Sequence, residues 1–315
     1  MAASYLVSFF IAVAACACLL GTIAARDLAD DRSMVARHEE WMAKYGRTYN
    51  DVAEKARRLE VFKANMVFIE SVNAANDKFW LEANQFADMT NDEFRATHTG
   101  YKQSVSGSKG RKMTGFRYAN VSLDALPTSV DWRTKGAVTP IKNQGKCEQE
   151  LVDCDTSDNG CEGGLMDNAF EFIIENGGLT TESNYPYTGT DGSCNSNRVS
   201  NSAASIKGYE DVPKNDEASL QKAVVAQPVS VALDGGDSLF QFYKGGVLSG
   251  DCGTELDHGV TVVGYGVADD GTKFWVIKNS WGTSWGEDGY IRMEMDIADK
   301  QGLCGLAMQP SYPTA

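Results

Sequence analysis

Two different hydrophobic periods divide this chain, and their order limits the folds open to it. From Ser33 to Thr97 apolar residues recur at helical spacing. Val35, His38, Trp41, Met42 and Tyr45 mark one helix, with Gly46 as its stop. Leu59, Phe62, Met66, Ile69 and Asn73 lie on one face of a longer helix. Thr90-Asn91-Asp92-Glu93 reads as a capping box opening a short third helix. The stretch from Gly100 to Asp124 is rich in Ser, Gly and Lys, has no period, and reads as an exposed linker. A second unit opens at Leu126-Pro127. Its first half carries amphipathic helices: Met166, Ala169, Phe170, Ile173 and Ile174, stopped by Gly177-Gly178, then Ala218–Ala226, closed by Pro228. Its second half reads as strands: Val229–Leu233, Val260–Val267, Phe274–Lys278 and Tyr290–Met295. Helices followed by strands imply an α+β fold.

The length, 315 residues, suits about two domains, and 43% hydrophobic with 23% charged residues is ordinary globular material. The net charge is −14, concentrated in residues 126–315, which hold 13 basic against 28 acidic residues. That balance excludes nucleic acid and anionic membrane as partners. Met1–Ala25 read as a signal peptide: an apolar core runs from Tyr5 to Leu20, and small residues offer cleavage near Ala24 or Ala25. The run is short for a membrane span, so no membrane contact is expected after cleavage. Removal of Cys16 and Cys18 leaves six cysteines in an oxidising compartment, hence three disulfides, and 15 pairings remain open.

Glu54, Arg58, Phe62, Asn65, Ile69 and Asn73 each follow the last by three or four residues, with an i,i+4 ion pair at the start. This pattern resembles the inhibitory propeptide motif of papain-like zymogens at all six positions. Asn84, Phe86 and Asp88 resemble its second motif, except that Glu82 replaces the leading glycine. Val130-Asp131-Trp132-Arg133, Asn143-Gln144-Gly145, Leu256-Asp257-His258-Gly259 and Asn279-Ser280-Trp281-Gly282 resemble segments of the mature papain family. The resemblance implies a two-lobed fold, a helical lobe plus a strand-rich, barrel-like lobe, preceded by a helical propeptide. It implies a thiol attacking a peptide bond, with His258 taking its proton, Asn279 orienting His258, Trp281 shielding that bond, and Gln144 donating to the oxyanion. Gly163, Gly164 and Asp257 would meet the substrate backbone. Leu165, Met166, Ala232, Leu256 and Gln309 would form an apolar pocket, so cleavage would follow an apolar residue and then any residue. The implied disulfides are Cys147–Cys161, Cys154–Cys194 and Cys252–Cys304. No cofactor and no metal are implied.

The family places its nucleophile six residues after the oxyanion Gln, in a Cys-Gly-x-Cys-Trp run. Here Cys147 leads directly into Glu148-Gln149-Glu150-Leu151, and the sixth residue after Gln144 is Glu150. A segment of about 25–30 residues, with the nucleophile and the central helix of the helical lobe, reads as deleted between Cys147 and Glu148. The expected organisation is therefore a signal peptide (1–25), a propeptide (33–97), a linker (98–125) and a peptidase domain (126–315) lacking its thiol. The expectation is a monomeric, inactive cysteine endopeptidase precursor of the secretory pathway, in the vacuole or lysosome or outside the cell. Its expected partners are protein substrates and its own propeptide in cis. The alternatives are an inhibitor of sister cysteine proteases acting through the propeptide, or a non-functional splice or gene-model variant. Asn120-Val121-Ser122 is a glycosylation acceptor triplet.

Overall fold

The computed structural model describes residues 33–101, 115–143, 149–199 and 202–315. The expected signal segment, Gln144, Cys147 and the junction before Glu148 lie outside the described residues. The chain forms two compact units, one up to Val67 and one from Phe68 on. The division falls inside the second helix rather than near Thr97.

In the first unit, α1 spans 33–45 and is followed by Gly46 at φ +63°, the left-handed conformation that ends helices. Helix α2 spans Val52–Ala75. Asp51 caps it, its carboxylate accepting from Glu54 N–H at 2.8 Å. Glu54 pairs with Arg58 at 2.8 Å and also with Arg57. Phe62 is 1% exposed, its ring 5.1 Å from His38 and 5.6 Å from Trp41, so α1 and α2 are joined by an aromatic cluster. Phe62→Ala should destabilise this pairing by about 3–5 kcal/mol. Hydrogen exchange of the α1 amides in the full chain reads that effect, and unchanged protection would mean the ring is not what holds α1.

The second unit adds helices α3 (Asn91–His98), α4 (Gln149–Cys154), α5 (Met166–Glu175), α6 (Ser196–Val199), α7 (Glu217–Ala226) and α8 (Ser238–Phe242). Its strands are β1 (Phe79–Leu81), β2 (Val130–Asp131), β3 (Gly208–Asp211), β4 (Val229–Leu233), β5 (Tyr243–Leu248), β6 (His258–Val267), β7 (Lys273–Lys278), β8 (Tyr290–Glu294) and β9 (Ser311–Thr314). They form one sheet in the order β1-β5-β8-β7-β6-β4-β9-β3, with β2 also on β6. Among the strands of the described residues, only β5 and β8 pair in parallel. The fold is α+β, and Leu233, Val262, Trp275, Ile277, Ile291 and Met293 form the core of the strand-rich part.

Strand β1 joins this sheet because Asn73 clasps it. The Asn73 amide donates to Leu81 O at 2.9 Å and accepts from Leu81 N–H at 2.8 Å. Trp80 then lies over Gly245 of β5, where a Cβ would come within 2.4 Å of the indole. Helix α3 begins with the expected capping box, Thr90 and Glu93 bonding each other's backbone N–H.

The exposed-linker reading needs correction at both ends of the segment. Tyr101 is buried, and Phe116 and Tyr118 pack against Tyr312 while Arg117 bonds Glu210 at 2.9 Å. A polar, glycine-rich composition does not reveal that Gly100 lets its backbone lie against another chain segment. Asn120 is exposed in a turn. Disulfides join Cys154 to Cys194 and Cys252 to Cys304. Cys161 is disulfide-bonded as well, and its expected partner, Cys147, lies outside the described residues.

Candidate active site

Adjacent antiparallel strands bring the two central side chains together. His258 opens β6 and Asn279 directly follows β7, whose Lys278 pairs with Thr261. His258 Nε2 lies 2.8 Å from Asn279 Oδ1, and Oδ1 also accepts from Ser280 N–H at 2.8 Å. An amide oxygen only accepts, so Nε2 carries the imidazole proton and Nδ1 is left as the basic nitrogen. Trp281 stacks on the imidazole at 4.7 Å with a 20° interplanar angle, and both residues are buried. Burial pushes the His258 pKa down to about 4; the Asn279 bond works against this and the charge of His98 adds to it.

Asp257, just before His258, is held by N–H bonds from Gly235 (2.8 Å) and Gly236 (3.2 Å). Burial raises its pKa to about 6, with Asp234 adding and Arg95 opposing. Arg95 ties α3 to this corner. It donates to Asp234 at 2.9 Å and to Gly236 O at 3.2 Å, and Asn91 donates to the same carbonyl at 2.7 Å. Phe94 and Phe86 meet the Trp281 ring edge-on at 5.1 and 5.8 Å, and Gln85 donates to Trp281 O at 3.0 Å. Residues 82–101 therefore cover the aromatic shield over the His258–Asn279 bond. Glu82, at the glycine position of the second motif, pairs with Lys244.

After α3 the chain runs as an extended strand through the expected substrate cleft. Gly164 N–H donates to Gly100 O at 3.1 Å, Tyr101 N–H donates to Asp257 O at 2.8 Å, and Tyr101 bridges Gly164 in parallel sense. Gly163 must be glycine here: its φ is +97°, and a Cβ would fall on Gly100 O. The Tyr101 hydroxyl donates to Gln309 Oε1. Burial, followed by the charges of Asp167 and Asp211, pushes that phenol up to about 12, so it stays a donor. Gly164, Asp257 and Gln309, all expected to meet substrate, are thus bonded by the protein's own Gly100 and Tyr101.

Other expected site residues scatter around this arrangement. Ala232 is buried in β4 opposite Gly259, and Leu256 packs against Gly305. Leu165 caps α5 and Met166 opens it. Met166 borders a groove of about 410 Å³ walled also by Leu151, Phe170, Ile173, Val260 and Asn279. Glu150 is buried and accepts from Thr180 N–H at 2.9 Å, a structural role. Among the described residues all five cysteines are in disulfides. Arg95 and Tyr101 carry no local sequence signal of these contacts, whose partners lie 139 and 208 residues away.

The family model for papain family cysteine proteases matches residues 148–314, and that for the cathepsin propeptide inhibitor domain (I29) matches residues 38–94. The senescence-specific cysteine protease SAG39 of Oryza sativa subsp. indica is 63% identical over 334 aligned positions, covering 96% of this chain and 97% of that protein. The senescence-specific cysteine protease SAG12 of Arabidopsis thaliana is 54% identical, covering 97% of each. Among solved structures, a recombinant stem bromelain precursor matches at a TM-score of 0.79 with 42% identity, covering 90% of this chain and 99% of that one. The proform of the ragweed pollen cysteine protease Amb a 11 matches at 0.82 with 38% identity, covering 90% and 95%. The chain belongs to the papain family of cysteine proteases. It is built as a precursor, with an I29-type propeptide ahead of the peptidase fold.

Proposed function

We propose that this chain is a papain-type endopeptidase precursor that has lost its nucleophile and does not cleave peptides. One observation carries the reading: His258 and Asn279 form a finished base–orienter pair, while every described cysteine is in a disulfide and Glu150, six residues after Gln144, is tied to Thr180. Two features of the comparisons support a deletion between Cys147 and Glu148. The peptidase match opens at residue 148. The SAG39 alignment spans 334 positions while 96% of this chain is about 302 residues, so about 32 positions lack a counterpart here.

In this reading His258 is the base, Asn279 its positioning residue and Gln144 the oxyanion donor. Gly163, Gly164 and Asp257 face the substrate backbone, and Leu165, Met166, Ala232, Leu256 and Gln309 form the apolar pocket. The segment 1–25 is a signal peptide, 33–97 the propeptide, 98–125 the linker and 126–315 the peptidase domain. The protein enters the secretory pathway and acts, or is stored, in the vacuole or lysosome or outside the cell. No helix among the described residues is long and apolar enough to cross a membrane. The test is hydrolysis of peptides with an apolar residue before the one at the scissile bond. The acid-incubated chain should release no product, and turnover abolished by His258→Ala would overturn the reading.

A second reading rests on the α2 face from Glu54 to Asn73, which is whole: its ion pair is closed, Phe62 is buried, and Asn73 holds β1. On it the propeptide inhibits intact sister proteases in trans.

A further inference from the structure

We propose that Glu210 and Tyr312 form a second peptide-binding site, separate from the His258 site, whose ligand is an arginine set between two aromatic residues. In the precursor the chain fills this site itself with Phe116-Arg117-Tyr118. Once that segment leaves, the site takes such a peptide in trans. The inference needs neither the loss of the nucleophile nor the deletion.

The sheet builds the site. Glu210 of β3 and Tyr312 of β9 are direct cross-strand partners, so their side chains share one face. Strands β9 and β3 follow β4 on the side away from β6, the strand that carries His258. Glu210 is 3% exposed and Tyr312 is fully buried. The Tyr312 hydroxyl donates to Glu210 Oε2 at 2.5 Å. A carboxylate and a phenol ring are thereby fixed beside each other at the end of the sheet.

The segment in place shows what the site selects. Arg117 donates from Nε to Glu210 Oε1 at 2.9 Å and from its backbone N–H to Oε2 at 3.1 Å. The rings of Phe116 and Tyr118 stand 6.5 and 5.5 Å from that of Tyr312. Ala119 N–H donates to Phe116 O at 3.1 Å, so one turn delivers the guanidinium and both rings together. Lysine offers no donor at the position of Nε, so arginine is the residue the carboxylate accepts. Burial alone would raise the Glu210 carboxyl; the Tyr312 hydroxyl and the Arg117 N–H groups outweigh it and hold the group below its ordinary value. A buried carboxylate stripped of its cation is strongly unfavourable. Removal of the linker, residues 98–125, would therefore leave a charged site with an aromatic wall that favours a new guanidinium.

The probe is fluorescein-labelled Gly-Phe-Arg-Tyr-Ala-Asn, the sequence of residues 115–120. The full chain carrying Phe116→Ala, Arg117→Ala and Tyr118→Ala together should bind it with saturable anisotropy. The unaltered chain should bind at least tenfold more weakly, because its own segment competes at an effective concentration on the order of millimolar. A peptide with lysine in place of the arginine should lose at least tenfold. Adding Glu210→Gln to the vacated chain should also cost at least tenfold, with far-ultraviolet dichroism unchanged. Where the triple variant does not fold, Arg117→Ala alone serves, with the same contrasts. A folded, vacated chain without saturable binding would overturn the proposal. So would binding indifferent to Glu210→Gln, or equal binding to the unaltered chain, since either places the peptide elsewhere.

Discussion

Placing a papain-type segment that begins Gly-x-Cys-Trp between Cys147 and Glu148 should raise peptide hydrolysis by on the order of 10⁴–10⁶-fold, the scale on which triad members are felt. Little else needs to change. The base is already oriented, with His258 Nε2 at 2.8 Å from Asn279 Oδ1 under Trp281. Gly164 and Asp257 already bond a backbone, the chain's own at Gly100 and Tyr101. A restored helix would also cover the half-buried face of α5 and place its thiol at a helix N-terminus, where the dipole favours thiolate. If the repaired protein folds and sheds its propeptide yet stays inert, the defect lies elsewhere, with Glu82 or Gln309 the first to revert.

The same insertion should invert the protonation of His258. In the chain as it stands, burial holds its pKa near 4. A thiolate 3–4 Å away in the repaired protein would stabilise the imidazolium as an ion pair and lift the value above the ordinary 6.5. The stability consequence has a definite sign. With a folded pKa depressed below the unfolded one, the group contributes stability that is present above pH 6.5 and lost as pH falls toward 4. A move from 6.5 to about 4 is worth about 3 kcal/mol. Asp257 works in the opposite direction: its pKa, raised to about 6, contributes stability below pH 3.8 that is lost as pH rises through 6. Global melting mixes the two, so the imidazole resonance of His258 is the right observable. It should titrate near pH 4 in the native chain and above 6.5 after insertion; the same midpoint in both would contradict the assignment of His258 as the partner of the lost thiol.

Much of this was legible in the sequence where a local pattern has a local cause. The capping box at Thr90 and Glu93 and the Gly46 stop each depend on a few neighbouring residues, and each formed as expected. So did β4, bounded by Pro228 and the Gly235-Gly236 turn. Strands β5 and β9 did not read as strands, because Gly245-Gly246 and Pro313 lower the local preference and long-range pairing supplies the stability. The hold of Arg95 on Asp234 spans 139 residues of sequence, and the contact of Tyr101 with Gln309 spans 208. Neither has a local signature. His258 and Asn279 stood out only because their neighbours match a known family; as single residues they are a strand-start histidine and a strand-end asparagine.

The proposed absence of a working thiol is tested most directly by covalent labelling. The acid-incubated chain, exposed to an excess of a thiol-directed epoxide and weighed intact by mass spectrometry, should show no added mass, because its described cysteines are all in disulfides. One equivalent of label that disappears in Cys147→Ala and needs an intact His258 would contradict this, and would make Cys147 the nucleophile.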